Sequence, residues 1–126
     1  MTIHKFWEIV RHIDWVTNCR NHRYYDAAKN MLMDKYSYET MREFSNMFDK
    51  LKTELGGRIS DHDSVIAGRV GNYSGDDSFD DMISHVIGCG EGTYNTVMLN
   101  PLVLNEMEFV ESFAYCIPHA GDYQYL

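Results

Sequence analysis

The chain has 126 residues, of which 44% are hydrophobic and 13% aromatic; that is enough for one domain with its own core and too apolar for a disordered segment. Its formal net charge is −8, from 19 acidic against 11 basic residues. This argues against a nucleic-acid partner, because phosphate-backbone binding needs clustered Lys and Arg to displace counterions, and even Arg11 to Arg23 offers only arginines interspersed with histidines.

Ile3, Phe6, Trp7, Val10 and Ile13 recur at helical spacing behind Thr2, a good capping residue, and predict a first helix over residues 3–15. Asn18 to Arg23 is polar and turn-like. Tyr24, Tyr25, Ala28, Met31 and Leu32 mark a second helix that fades near Tyr36. Ser37 caps a third, whose stripe Met41, Phe44, Phe48, Leu51 and Leu55 is expected to end at the pair Gly56-Gly57. Ile59, Val65, Ile66 and Val70 suggest a short buried helix weakened by Gly68 and Gly71, with a loop from Gly71 to Gly75 behind it.

Phe79, Met82, Ile83, Val86 and Ile87 form another apolar stripe, broken by Gly88, Gly90 and Gly92. Tyr94, Val97, Met98 and Leu99 predict one or two further turns before Asn100-Pro101. Met107, Val110, Phe113, Ala114 and Ile117 predict a last helix stopped by Pro118, with residues 118–126 as a loosely held tail. No repeat, linker or clear strand alternation interrupts this series. The fold class expected is all-α: a single domain over residues 1–126, an irregular bundle or orthogonal array of about six or seven short helices.

The order of these features resembles a bacterial family catalogued as domain of unknown function 4240. Its members open on a helix with Phe-Trp, here Phe6-Trp7, and carry Ser-Asp-Asp-x-Phe before a helix closing on a glycine. Ser74, Asp76, Asp77, Phe79, Val86, Ile87 and Gly90 match in order, and Asn100, Pro101 and Leu104 resemble the family's downstream turn. The resemblance spans residues 3–117. Gly75 separates the serine from the aspartates, His85 stands where the family often has tryptophan, and Ile83 where it often has arginine. The resemblance implies a fold and no reaction, since the family has none assigned.

Asp76, Asp77, Asp80 and Asp81 are the first chemical candidate. From Asp76 the sixth residue is Asp81 and the twelfth Ile87, where a calcium loop needs glycine and glutamate, so the pattern fails. A looser magnesium site with Asp61 or Asp63 stays open. The alternative is a helix start, with Asp76 or Asp77 as cap and the other carboxylates at its positive end.

His85 and Cys89, four apart, share a helix face, and Cys19 and His22 lie three apart. Together they would suit zinc, or the first pair a Cys–His nucleophile, but nothing in the sequence brings the two pairs together and buried free cysteine is common. Gly88-Cys-Gly-Glu-Gly92 follows a helix and lacks the lysine of a phosphate loop, so a tight turn accounts for it. Asp61-His62-Asp63 could orient a general base or form an acidic turn. Trp15, Tyr24 and Tyr25 flank the polar turn beside Arg11, Arg20 and Arg23; they suit either an interface or a satellite of the core.

Three separated cysteines without a Cys-x-x-Cys pair, and an N-terminus without a signal-peptide pattern, point to the reducing cytoplasm. No apolar run reaches about 18 residues, so no membrane partner is expected. No catalytic residue, metal or cofactor is assigned. Nine tyrosines and eight methionines suit an adaptable interface as well as a core. The function expected is that of a small acidic protein-binding module, an inhibitor, immunity or anti-defence factor, contacting its partner through residues among Trp15, Tyr24, Tyr25, Asp76, Asp77 and His85. The alternatives are a metal-dependent or Cys/His-based enzyme using Asp76, Asp77 and His85, and an acidic DNA-mimic inhibitor.

Overall fold

The computed structural model describes residues 1–21, 24–60, 76–110 and 113–123. Every regular element among them is helical and none is a strand. The short helix expected near Ile59 to Val70, the Gly71–Gly75 loop, the Asp61-His62-Asp63 turn, and His22 and Arg23 lie outside the described residues, apart from Ile59.

Helix α1 runs Ile3–Ile13, with the Thr2 hydroxyl accepting from the Lys5 N–H at 3.1 Å. Phe6, Trp7, Ile9, Val10 and Ile13 form its buried face. Asp14 stops it in the left-handed region (φ 53°, ψ 49°), and the chain resumes as α2, Trp15–Asn18. A single helix over 3–15 is therefore broken by one residue. Aspartate tolerates this conformation better than most residues, and Asn18 accommodates the turn by donating to the Asp14 carbonyl at 3.0 Å. The break swings Trp15 inward, where it is 2% exposed.

Helix α3, Tyr24–Lys35, buries Ala28 and Leu32. Helix α4, Tyr38–Ser60, starts where Ser37 accepts from the Thr40 N–H at 3.2 Å. It does not end at Gly56-Gly57, as the glycine pair suggested. It continues through both glycines, and its stripe extends from Leu55 to the buried Ile59. Each glycine costs a helix about 1 kcal/mol; burial of Ile59 and the contact at Gly56 offset that. A Cβ on Gly56 would lie 3.2 Å from the Ile83 Cδ1, so the missing side chain lets the next helix approach closely.

That next helix, α5, runs Asp76–Gly88 and packs on α4. Met82, Ile83, Ser84, His85, Val86 and Ile87 are all buried, so its second half is enclosed all round, as in the centre of a bundle. Gly90 (φ 108°) makes the turn into α6, Glu91–Leu99, which includes Gly92 rather than breaking at it. Arg58 closes the far end of α6, donating to the Met98 carbonyl at 2.8 Å and the Leu99 carbonyl at 3.4 Å, where a cation meets the negative end of the helix dipole.

Asn100 then caps a 3-10 turn, Pro101–Glu106. The last helix expected over Met107 to Ile117 is not formed among the described residues. Residues 107–110 carry no helix, and only a 3-10 turn, Phe113–Cys116, follows. In this stretch the Val110 N–H donates to the imidazole of His85 on α5. The Phe113–Cys116 turn packs against α3 and α5, with Phe113 fully buried. A final short helix, α7 (Ala120–Tyr123), is fastened in what was expected to be a loose tail: Tyr123 donates to the Tyr36 carbonyl at 3.3 Å, and Asp122 lies 3.6 Å from the Lys29 ammonium.

Candidate functional site

His85 is the polar group at the centre of this packing. It is 6% exposed, on the enclosed part of α5. The Trp15 indole Nε1–H donates to its Nδ1 at 3.1 Å, and the Val110 backbone N–H donates to the same nitrogen at 3.3 Å. The Phe109 ring stands edge-on to the imidazole, with centroids 5.8 Å apart. The other nitrogen, Nε2, lies 3.4 Å from the Cys89 Sγ, one helical turn on.

These contacts settle the tautomer. Two donors converge on Nδ1, so Nδ1 carries a lone pair and the proton sits on Nε2. Nε2–H therefore points at the Cys89 sulfur as a donor. Burial, first of all, holds the His85 pKa below its ordinary value, and the positive charge of Arg20 pushes the same way. The Val110 backbone contact, second to burial in size, pushes the other way without cancelling it. Burial, with a smaller effect from Cys19, raises the Cys89 thiol to about 11.

Neither active role open to this pair survives that geometry. A general base for Cys89 would need its lone pair on Nε2, and a zinc ligand through Nε2 would place the proton on Nδ1, facing two other donors. Cys89 is moreover a protonated thiol far from the low pKa of a reactive cysteine. Cys116 is buried and pushed further, to about 12. Among the described residues no group of three or more His, Cys, Asp and Glu side chains could hold a metal ion. His85 and Cys89 share a face, as their spacing indicated; His22 lies outside the described residues.

The acidic cluster does begin a helix, since α5 starts at Asp76. The side chains of Asp76 and Asp77 lie outside the described residues. Asp80 pairs with the Lys52 ammonium of α4 at 2.7 Å, one contact that docks α5 on its neighbour.

The aromatic group around the first turn divides. Trp15 offers no surface, contrary to its place among the interface candidates, because the Asp14 turn buries it against His85 and Phe113. Tyr24 is half-buried, and its hydroxyl donates to the Ile13 carbonyl. Tyr25 is half-buried and meets the ring of Tyr115, which is 62% exposed, at 6.1 Å between centroids. In the sequence Tyr115 lies off the apolar stripe Met107, Val110, Phe113, Ala114 and Ile117, so periodicity carries no sign of this contact. Arg20 and Glu108, both exposed, pair at 2.9 Å.

The family description "Protein of unknown function (DUF4240)" matches residues 1–126, the whole length. The chain belongs to the DUF4240 family. Its description names no activity, so none passes to this chain. No curated protein and no solved structure matches it. His85, one of the sequence candidates in this DUF4240 chain, is a buried residue of its helical core.

Proposed function

We propose that this DUF4240 chain is a non-catalytic module that binds another protein in the cytoplasm. The observation that carries this reading is the double donation to His85 Nδ1, which turns the best-placed catalytic candidate into a packing group. Three free cysteines support a reducing compartment, and no described helix is long and apolar enough to cross a membrane. The face we assign to the partner is centred on Tyr25 and Tyr115. Aromatic pairs with a polar tip have the composition of interface hot spots. The acidic surface suits a basic partner, as inhibitory and immunity factors often meet.

The test is affinity capture from source cells with the intact chain and with a Tyr25→Ala/Tyr115→Ala variant, followed by reconstitution with the purified partner. The reading predicts a partner that binds the intact chain, binds the folded variant at least about tenfold more weakly, and loses its own activity on binding. Equal binding by the variant would remove this face, and turnover of any substrate that depends on His85 would remove the reading itself.

A further inference from the structure

A concavity of about 400 Å³ lies between α1, α4 and α6, large enough for a small organic group. Trp7 and Tyr94 form its aromatic wall, with ring centroids 5.4 Å apart, and Met47 and Met98 add adaptable apolar surface. Glu54 and Glu91 bring two carboxylates to it and Lys50 one ammonium, with no ion pair between Lys50 and either acid.

The polar chemistry of this groove is unbalanced in one further respect. Tyr94 is 7% exposed, and its hydroxyl is buried without a hydrogen-bond partner. Burial, then the charge of Glu54 and a side-chain interaction with the same carboxylate, raise its pKa, so Glu54 lies against the hydroxyl without closing a bond of ordinary geometry. The carboxylate only accepts, and the phenolic oxygen accepts when its O–H turns toward Glu54, so a ligand with several N–H donors serves both groups. An anion would face two carboxylates, and a purely apolar group would leave the hydroxyl unpaired.

We propose that this groove binds an organic cation: an alkylguanidinium or alkylammonium group on an apolar stem. Trp7, Met47 and Met98 take the stem, while Glu54 and the Tyr94 oxygen receive its N–H donors. The groove is separate from the Tyr25–Tyr115 face, and its occupant is either a free amine or guanidine, or a basic side chain of a partner protein.

The test titrates agmatine, an alkylguanidine, into the full chain and follows the indole N–H resonances of its two tryptophans. Trp15, held by His85, is the internal reference. The Trp7 resonance should move saturably. Glu54→Gln should weaken binding about tenfold, while Asp34→Asn, which removes the same charge from an exposed position on α3, should leave it unchanged. Hexanoate, an anion of comparable length, should move nothing. No shift of Trp7 up to the solubility limit, equal affinity in Glu54→Gln, or an equal response to hexanoate overturns the proposal. An acetylated, amidated Leu-Arg-Leu peptide that binds more tightly than agmatine assigns the cation to a partner protein; tighter agmatine assigns it to a free small molecule. Because no captured partner enters these titrations, the groove stands or falls apart from the Tyr25–Tyr115 face.

Discussion

Trp15 and His85, seventy positions apart in sequence, are joined by a hydrogen bond of 3.1 Å from the indole N–H to the imidazole Nδ1. This bond ties the short α2 to the central α5. Trp15→Phe keeps most of the packing and removes the donor, leaving Nδ1 with Val110 alone. The expected loss is about 1 kcal/mol, read as a shift in urea midpoint with unchanged slope. An unchanged midpoint would mean that the indole contributes packing only.

The neutral His85 makes stability depend on pH. Its folded pKa lies below the unfolded value near 6.5. Between the two, the unfolded chain binds the extra proton, so stability is complete above about pH 6.5 and falls as pH drops toward the folded pKa. His85→Asn supplies an amide oxygen for Trp15 and Val110 and cannot titrate. The midpoint difference between wild type and this variant should therefore shrink from pH 7.5 to pH 5. Parallel pH profiles for the two proteins would show that His85 does not carry the linkage.

Thiol reactivity should follow burial. With Cys89 at about 11, roughly one molecule in a thousand carries its thiolate at pH 8, and Cys116, at about 12 and buried, still fewer. Iodoacetamide at pH 8, followed by peptide mass spectrometry, should label Cys89 at least about a hundredfold more slowly than the unfolded chain. Labelling at the unfolded rate would restore Cys89 as a candidate nucleophile.

The strained turn at Asp14 is a third place where one residue decides an arrangement. A left-handed aspartate costs about 1 kcal/mol relative to glycine, so Asp14→Gly should be neutral to slightly stabilising. Asp14→Val, β-branched in the same conformation, should cost about 2 kcal/mol and loosen Trp15. The two variants differ in sign, and near-equal melting points would rule out backbone strain as the reason for aspartate here.

What was legible in the sequence is what periodicity encodes. The stripes of α1, α4 and α5 are buried where their spacing placed them, as Phe6, Phe44 and Met82 show, and the helical class follows from those stripes. Three features needed the third dimension. The Asp14 break interrupts an apolar pattern that continues across it, so the pattern carries no sign of it. Val110 sits at helical spacing from Met107 and Phe113, but its N–H is claimed by His85, a competitor that no local window contains. The Trp15–His85 bond joins residues whose local signals, an aromatic beside a polar turn and a histidine one helical turn from a cysteine, carry no trace of each other.

Glycine offers the sharpest contrast between a local rule and a tertiary one. Gly57 and Gly88 both lie in helices, so helix propensity alone predicts that alanine stabilises each. A Cβ on Gly57 meets nothing within 4 Å, and Gly57→Ala should raise stability by about 0.5–1 kcal/mol through the lower entropy of the unfolded chain. A Cβ on Gly88 would lie 2.6 Å from the Phe113 ring and 2.8 Å from Trp15, both buried and without room to retreat. Gly88→Ala should therefore destabilise by about 1–3 kcal/mol, and by displacing Trp15 it should also disturb the bond to His85. Thermal melts of the two variants should move in opposite directions from wild type. A stabilised Gly88→Ala would show that Trp15 and Phe113 can part at that point, and that the core around His85 is looser than its contacts imply.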